Sequence, residues 1–392
     1  MQINVKETEK ITSMPPSMLV SATYDNTTRT AVLKFYEPIS QKLILWYDET
    51  GHKPYCYSRL SPDELDFLQE RDDILEIKTV KRHDLMKDEE VNMSKITVAD
   101  PLTIGGTTGD KSIRNIIETW ESDIKYYENY LYDRSLIVGK YYEIIDGKIK
   151  PHDLEISGEV KLALKSLLWD KVDSENMVDP KEFKELISDW ADLLNQPIPR
   201  IKRLSVDIEV EAEIGRIPDP KIAEKRVTAI GLKGTDGFDQ IFVLRTEGTD
   251  EGINELDQNI KIVFYDQSKE KEMILDAFKV IEEFPFVLTY NGDEFDLPYL
   301  FNRAERLGIK NENNPLYMMK DSATLKHGVH LDLYRTLSNR SFQIYAFSQK
   351  YTDFSLNSVS KALLNKEKID YGLEFDQLSL YQIANYCYND AL

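Results

Sequence analysis

The stretch Leu204-Ser-Val-Asp-Ile-Glu-Val210 constrains this chain of 392 residues more than any other. In a β-strand, side chains at i and i+2 share a face. A strand over 201–210 therefore turns Leu204, Val206, Ile208 and Val210 to one side and Asp207 and Glu209 to the other. The apolar row demands a sheet with a packed face. The two carboxylates, adjacent on an otherwise apolar strand, repel each other and lose solvation unless a cation lies between them. The same D-x-E spacing occurs at Asp88/Glu90, Asp153/Glu155 and Asp173/Glu175, in charged segments where a solvated pair is the simple reading.

Around that strand the pattern is regular. Gln196-Pro-Ile-Pro199 marks a boundary, and strands follow over 226–233, 240–245, 286–290 and 329–333. Helices fall over 269–283 and 297–307, the latter closed by Gly308, with further helices to the end. Three strands joined by short turns and then alternating with helices describe an α/β domain with a mixed sheet. Upstream, strands over 18–24, 30–36, 42–47, 74–81 and 94–98 and helices over 111–120 and 123–132 describe an α+β domain. Ser61-Pro-Asp-Glu64 carries a capping-box spacing. Residues 151–195 read as a charged helical insert that packs locally through Trp169 and Trp190. The expected division is a disordered tail over 1–17 ending at Ser13-Met-Pro-Pro-Ser17, an α+β domain over 18–150, an insert and linker over 151–198, and the α/β domain over 199–392.

A length of 392 residues accommodates two or three domains. No apolar run is long enough for a membrane span, and the polar first 13 residues look like neither a signal nor a transit peptide. Cys56 and Cys387 form no C-x-x-C pair, so a disulfide framework or zinc site is not expected and a reducing cytoplasm is. With 49 basic and 69 acidic residues the net charge is −20. Such a balance argues against a general DNA-coating surface, though not against a site whose own metal ions neutralise a phosphate locally.

Two further carboxylates stand out. In Tyr290-Asn291-Gly292-Asp293-Glu294-Phe295-Asp296 an apolar strand runs into an Asn-Gly turn and then a helix. Asp296 sits at the helix mouth, where it could simply cap the helix, yet a cap needs neither Phe295 beside it nor an Asn in the turn. In Tyr386-Cys-Tyr-Asn-Asp390 a phenol and a carboxylate four apart share one helix face; an ordinary Tyr–Asp hydrogen bond is the plain alternative.

In this order and on these elements, D-x-E on a strand, N-x-x-x-F-D at a strand-to-helix turn and Y-x-x-x-D on a late helix resemble the three exonuclease motifs of family B DNA polymerases. That family belongs to the DEDDy nucleases, with a ribonuclease H-like fold. His330-Leu-Asp-Leu-Tyr334 resembles the strand before the third motif in archaeal members, where Asp332 is not a metal ligand. The region around Tyr24 and Lys53-Pro54-Tyr55 is similar to the archaeal N-terminal domain, so the resemblance covers nearly the whole chain except the tail and the 151–195 insert.

The resemblance implies a 3′→5′ proofreading exonuclease using two Mg²⁺ (or Mn²⁺) ions. Asp207 would bridge them, Glu209 and Asp390 would complete the nucleophile-side metal, and Asp296 would hold the other. Tyr386 would orient the attacking water; Asn291 and Phe295 would bind the frayed single-stranded 3′ end. Some archaeal members also capture uracil in the template, and by position Tyr24, Pro54, Pro101, Ile104 and Tyr126 would line that pocket. The segment 101–112 is longer and richer in Gly and Thr here, and an ordinary core-and-turn role for these five stays open.

The palm motifs of a polymerase (D-x-x-S-L-Y-P-S-like, K-x-x-x-N-S-x-Y-G-like and D-T-D) do not occur, and the sequence stops at Leu392 within the last helix. The expectation is a truncated polymerase whose palm, fingers and thumb would grip primer-template DNA, working in the cytoplasm at the nucleoid. The rivals are a stand-alone DEDDy nuclease acting on RNA and a non-catalytic template-sensing module.

Overall fold

The computed structural model describes residues 11–106, 111–152, 198–212, 217–319, 322–373 and 377–392, with short stretches between 158 and 188. The chain divides into two compact units, Met1–Pro38 with Ile44–Ile198, and Ile39–Leu43 with Pro199–Leu392. Most of the 151–195 insert, including Trp169 and Trp190, lies outside the described residues, as do residues 1–10.

In the first unit, β1 (Met14–Asp25), β2 (Thr30–Glu37), β3 (Lys42–Tyr47), β7 (Tyr141–Ile145) and β8 (Lys148–Pro151) form a sheet in the order β3-β2-β1-β7-β8. A second sheet, β4-β6-β5, is built from β4 (Tyr55–Ser58), β5 (Ile74–Asp84) and β6 (Glu89–Val98). Helix α1 (Tyr126–Asp133) packs Tyr126 and Tyr130 into the core of the first sheet with Leu19, Leu33, Phe35 and Tyr142.

The structure departs from the sequence expectation at two places. Met14–Ser17 do not belong to a tail: they open β1 and pair with β7 at Met14↔Ile144 and Ser17↔Tyr142. Pro15 and Pro16 lack N–H donors, and a register shift between those two pairs leaves them outside the ladder. The expected helix over 111–120 shrinks to one turn, Ile113–Ile116. Ile117 is extended, and Trp120 instead exchanges two backbone hydrogen bonds with Tyr57 of β4.

The second unit holds a six-stranded mixed sheet ordered β12-β11-β10-β9-β13-β16. Its strands are β9 (Arg203–Val210), β10 (Val227–Gly234), β11 (Asp239–Leu244), β12 (Lys261–Tyr265), β13 (Phe286–Thr289) and β16 (Val329–Asp332); β14 (Leu316–Met318) and β15 (Ala323–Leu325) form a separate hairpin. The neighbours β9, β10 and β11 are antiparallel; β10 and β11 are joined by a short turn, while a longer segment separates β9 from β10. The pairs β9–β13, β13–β16 and β11–β12 are parallel; a helix precedes β13 and another lies between β13 and β16, whereas β11 and β12 are joined without one. This is the mixed α/β sheet read from the sequence.

Helices α2 (Glu270–Glu282) and α3 (Asp296–Arg306) cover one face, burying Met273, Phe278, Leu297 and Leu300 against Leu204, Val206, Ile208 and Leu232. Each such side chain contributes about 1.5–3 kcal/mol on leaving water. The last helix, α6 (Leu380–Ala391), covers the opposite face, after α4 (Leu333–Leu337) and α5 (Leu356–Leu364). No helix among the described residues is long and apolar enough to cross a membrane.

Candidate active site

Strand β9 alternates as its sequence requires. Leu204, Val206, Ile208 and Val210 are buried under α2 and α3, which leaves Asp207 and Glu209 on the face that receives α6. That helix starts at a capping box, in which Ser379 Oγ accepts from Gln382 N–H and Gln382 Oε1 accepts from Ser379 N–H. Its apolar stripe Leu380, Ile383, Ala384, Cys387 and Ala391 is buried. The stripe fixes the rotation of the helix and brings Asp390 to the strand.

One oxygen each from Asp207, Glu209 and Asp390 lies within 4.8 Å of the others. The Cys387 thiol points at Asp207, 3.5 Å from its carbonyl oxygen and 3.7 Å from Oδ2. Helix and strand approach this closely because β10 offers Gly231: a Cβ there would lie 2.9 Å from the Cys387 carbonyl oxygen.

Asp296 comes from the turn that follows β13. It is the first residue of α3, with no side-chain cap bond at the helix start. Its Oδ1 instead accepts from the Ile208 N–H at 3.1 Å, between the two carboxylates of β9. Simple capping is thus not its role. Asp296 is 5% exposed and lies outside the close trio, yet its charge is the largest electrostatic influence on Asp207.

The cluster is poised against its own ionisation. Burial, then the charges of Asp296, Glu209 and Asp390, raise the Asp207 carboxyl well above the usual range, with Lys368 opposing. Burial pushes Glu209 up to about 8, helped by Asp390. Asp296 rises to about 7, again chiefly by burial, against the pull of the Ile208 N–H. Burial raises Asp390 as well, while its hydrogen bond from Lys368 works the other way. Desolvated like charges of this kind call for a cation.

Lys368 is a member of the site that sequence reasoning did not find. Its ammonium bonds Asp390 Oδ2 and stands 5.4 Å from the centre of the Tyr386 ring. In Asn365-Lys-Glu-Lys368 it reads as one of several solvated charges, and no spacing rule links it to Tyr386. With Oδ2 so engaged, Asp390 Oδ1 is buried with no hydrogen-bond partner among the described residues. An orphaned carboxylate oxygen beside two others is a hard-oxygen donor set, and it fits Mg²⁺ or Mn²⁺. Tyr386 lies against the same group: burial raises its pKa, Lys368 lowers it, and Asp390 and Glu209 raise it further.

Asn291 and Phe295 lie on the turn between β13 and α3, which leads into Asp296. Asn291 is exposed and adopts φ +65°; Phe295 is half-buried, its ring 5.5 Å from that of Tyr299. In the first unit, Tyr24, Pro54, Pro101, Ile104 and Tyr126 all line one cavity of about 320 Å³, together with Asp100, Arg114 and Lys125. The Tyr24 hydroxyl is buried without a hydrogen-bond partner among the described residues, and burial pushes its pKa up to about 12. The other sequence-read D-x-E pair that the structure describes, Asp88 and Glu90, is exposed at a hairpin.

Comparison with known proteins gives these features a context. The family described as DNA polymerase family B, exonuclease domain, matches residues 117–359. DNA polymerase 1 of Sulfolobus acidocaldarius is 33% identical over 378 residues, covering 95% of this chain and 41% of that protein. DNA polymerase 1 of Aeropyrum pernix is 32% identical over 378 residues, covering 95% of this chain and 38% of that protein. The solved structure of the family B DNA polymerase from the hyperthermophilic archaeon Pyrobaculum calidifontis shares the fold. Its TM-score is 0.59 at 13% identity, over 96% of this chain and 45% of that one. The chain therefore spans about two fifths of the length of the curated relatives it matches.

Proposed function

Because this chain belongs to the family B DNA polymerases through their exonuclease domain, we propose that it is a 3′→5′ proofreading exonuclease that removes nucleotides from single-stranded or mismatched 3′ ends of DNA. The observation that carries this reading is the convergence of Asp207, Glu209 and Asp390, with one Asp390 oxygen buried and unpartnered. Together with Asp296 they would hold two Mg²⁺ or Mn²⁺ ions, which supply a nucleophilic water at neutral pH and neutralise the phosphate oxygens.

The chain's own side chains would do the rest. Tyr386 stays a protonated phenol, since burial raises its pKa; it would orient the attacking water as donor and acceptor rather than act as a base. Lys368, beside both Tyr386 and Asp390, would add a positive charge near the reacting phosphate. Phe295 would pack on the terminal base or sugar and Asn291 would bond it. Such stacking tolerates any sequence, as a proofreader requires.

The cavity around Tyr24 supports a template-base pocket in the N-terminal unit. Its volume lies within the range of about 300–1,000 Å³ usual for small-ligand sites, and the Tyr24 hydroxyl offers a free hydrogen-bonding group. The palm, fingers and thumb of the same polymerase and primer-template DNA would be the partners, in the cytoplasm.

The test is release of 3′ nucleotides from matched DNA and RNA single strands with and without Mg²⁺. Metal-dependent release from DNA supports the reading; release from RNA alone, or from neither, contradicts it.

A further inference from the structure

Asp332, at the end of β16, is buried, and its carboxylate is committed entirely to backbone N–H groups. Oδ1 accepts from Asn291 at 2.8 Å and Tyr334 at 2.9 Å, and Oδ2 accepts from Asp293 at 3.1 Å. The Tyr334 bond caps its own helix, α4. The other two reach across to the turn that carries Asn291, Phe295 and Asp296.

That turn has a backbone few residues fit, which is why Asn and Gly stand there. Asn291 sits at φ +65°, a region most side chains avoid. Gly292 passes so close to Thr289 that a Cβ would lie 2.3 Å from its hydroxyl oxygen. A second set of contacts secures it from the same strand. His330, two residues before Asp332 and so on the same face, pairs with the Thr289 hydroxyl at 2.8 Å and with Asp293 Oδ1 at 3.1 Å. Arg335 bonds the other Asp293 oxygen at 2.5 Å. The main chain of the turn is thus held by Asp332, and its Asp293 side chain by His330 and Arg335.

We propose that Asp332 is a positioning residue for the nuclease: its carboxylate locks the turn at Asn291–Asp293 so that Asn291 and Phe295 meet the DNA 3′ end in register with the carboxylate cluster. This rests on the exonuclease reading above. Hydrogen bonds from N–H to an ionised carboxylate are about twice as strong as neutral ones, and a misplacement of about 1 Å at a reacting centre costs about 10²-fold in rate. Helix capping alone would use one of the three bonds. The remaining two have no purpose in α4, and both end on the turn.

The experiment compares wild type, Asp332→Ala, Asp332→Asn, Phe295→Ala and the Asp332→Ala/Phe295→Ala double variant in the full chain. Nucleotide release from a 5′-labelled oligothymidylate is followed with Mn²⁺, alongside melting temperature and calorimetric Mn²⁺ titration. Expected for Asp332→Ala are a kcat/KM lower by about 10²-fold, most of it in KM, and retained Mn²⁺ binding. Asp332→Asn, which keeps one acceptor, recovers part of the loss. In the double variant Phe295→Ala adds little, because Phe295 is already misplaced. Full activity in Asp332→Ala, or strictly multiplicative losses in the double variant, overturns the proposal. So does a loss that simply follows melting or Mn²⁺ affinity. If Asp332→Ala does not fold, the KM shift of Asp332→Asn decides in the same sense. A wild type without Mn²⁺-dependent release overturns the exonuclease reading itself, which distinguishes the two failures.

Discussion

Lys368 holds one oxygen of Asp390 and leaves the other, Oδ1, buried and unpartnered. The ammonium therefore offsets part of the repulsion among the carboxylates while an acceptor stays open for a cation. Removing it has a specific consequence. Lys368→Met should lower the melting temperature of the metal-free protein at pH 8, by a stability loss of about 1–3 kcal/mol for the abandoned partner. Saturating Mn²⁺ should recover most of that loss. A melting temperature unchanged without metal would contradict this account of Lys368.

Gly231 sets how deeply α6 sits on the sheet. A methyl there meets the Cys387 carbonyl oxygen at 2.9 Å, its sulfur at 3.2 Å and the Ala391 Cβ at 3.3 Å. A main-chain oxygen cannot rotate aside, so the helix must move and carry Tyr386 and Asp390 with it. Gly231→Ala should cost about 1–3 kcal/mol in stability and about 10²-fold in nucleotide release, read by thermal melting and steady-state kinetics. A stable variant with wild-type kcat would show that the depth of α6 is not critical.

The carboxylates make metal binding a function of pH. Glu209 is raised from 4.5 to about 8 and Asp296 from 3.8 to about 7, each chiefly by burial. A carboxyl whose folded pKa is raised adds stability that is fully present below its unfolded pKa and lost as pH rises through the folded value. The metal-free fold should therefore weaken from about pH 5 to about pH 8. Divalent ions bind the deprotonated form. The gain in melting temperature with Mn²⁺ should then be small at pH 5 and grow towards pH 8; a gain independent of pH would contradict the shifts.

Much of this site is legible in the sequence, for physical reasons that differ by residue. Asp207 and Glu209 follow from strand periodicity, because alternation on β9 admits only one face for them. Tyr386 and Asp390 follow from helical spacing, and their nearness to β9 from the apolar stripe between them. Lys368, His330 and Arg335 were not legible. Each reaches its partner across a tertiary contact with no local period, so nothing short of the fold distinguishes it from a surface charge. The same limit explains the helix expected over 111–120, where Trp120 pairs with a strand more than sixty residues away. It also explains Met14–Ser17, where two prolines suggest a tail but a bulge on β1 accommodates them.

The cavity in the first unit makes a separate prediction. Tyr24→Phe removes a hydroxyl there that is buried without a partner among the described residues. It should weaken binding of single strands containing uracil by about 5–10-fold, the worth of one hydrogen bond of about 1–1.5 kcal/mol. Fluorescence anisotropy with paired oligonucleotides measures it. No preference in the wild type would remove the template-base pocket from the account.

Asp207, Glu209, Asp296 and Asp390 would together form the two-metal hydrolytic centre. The most direct measurement is Mg²⁺-dependent release of 3′ nucleotides from single-stranded DNA by wild type and Asp207→Ala, with folding checked by melting. Losing a ligand shared by the site should remove several kcal/mol of transition-state stabilisation, a fall of about 10³-fold or more. Activity in Asp207→Ala equal to that of the wild type would contradict the assignment.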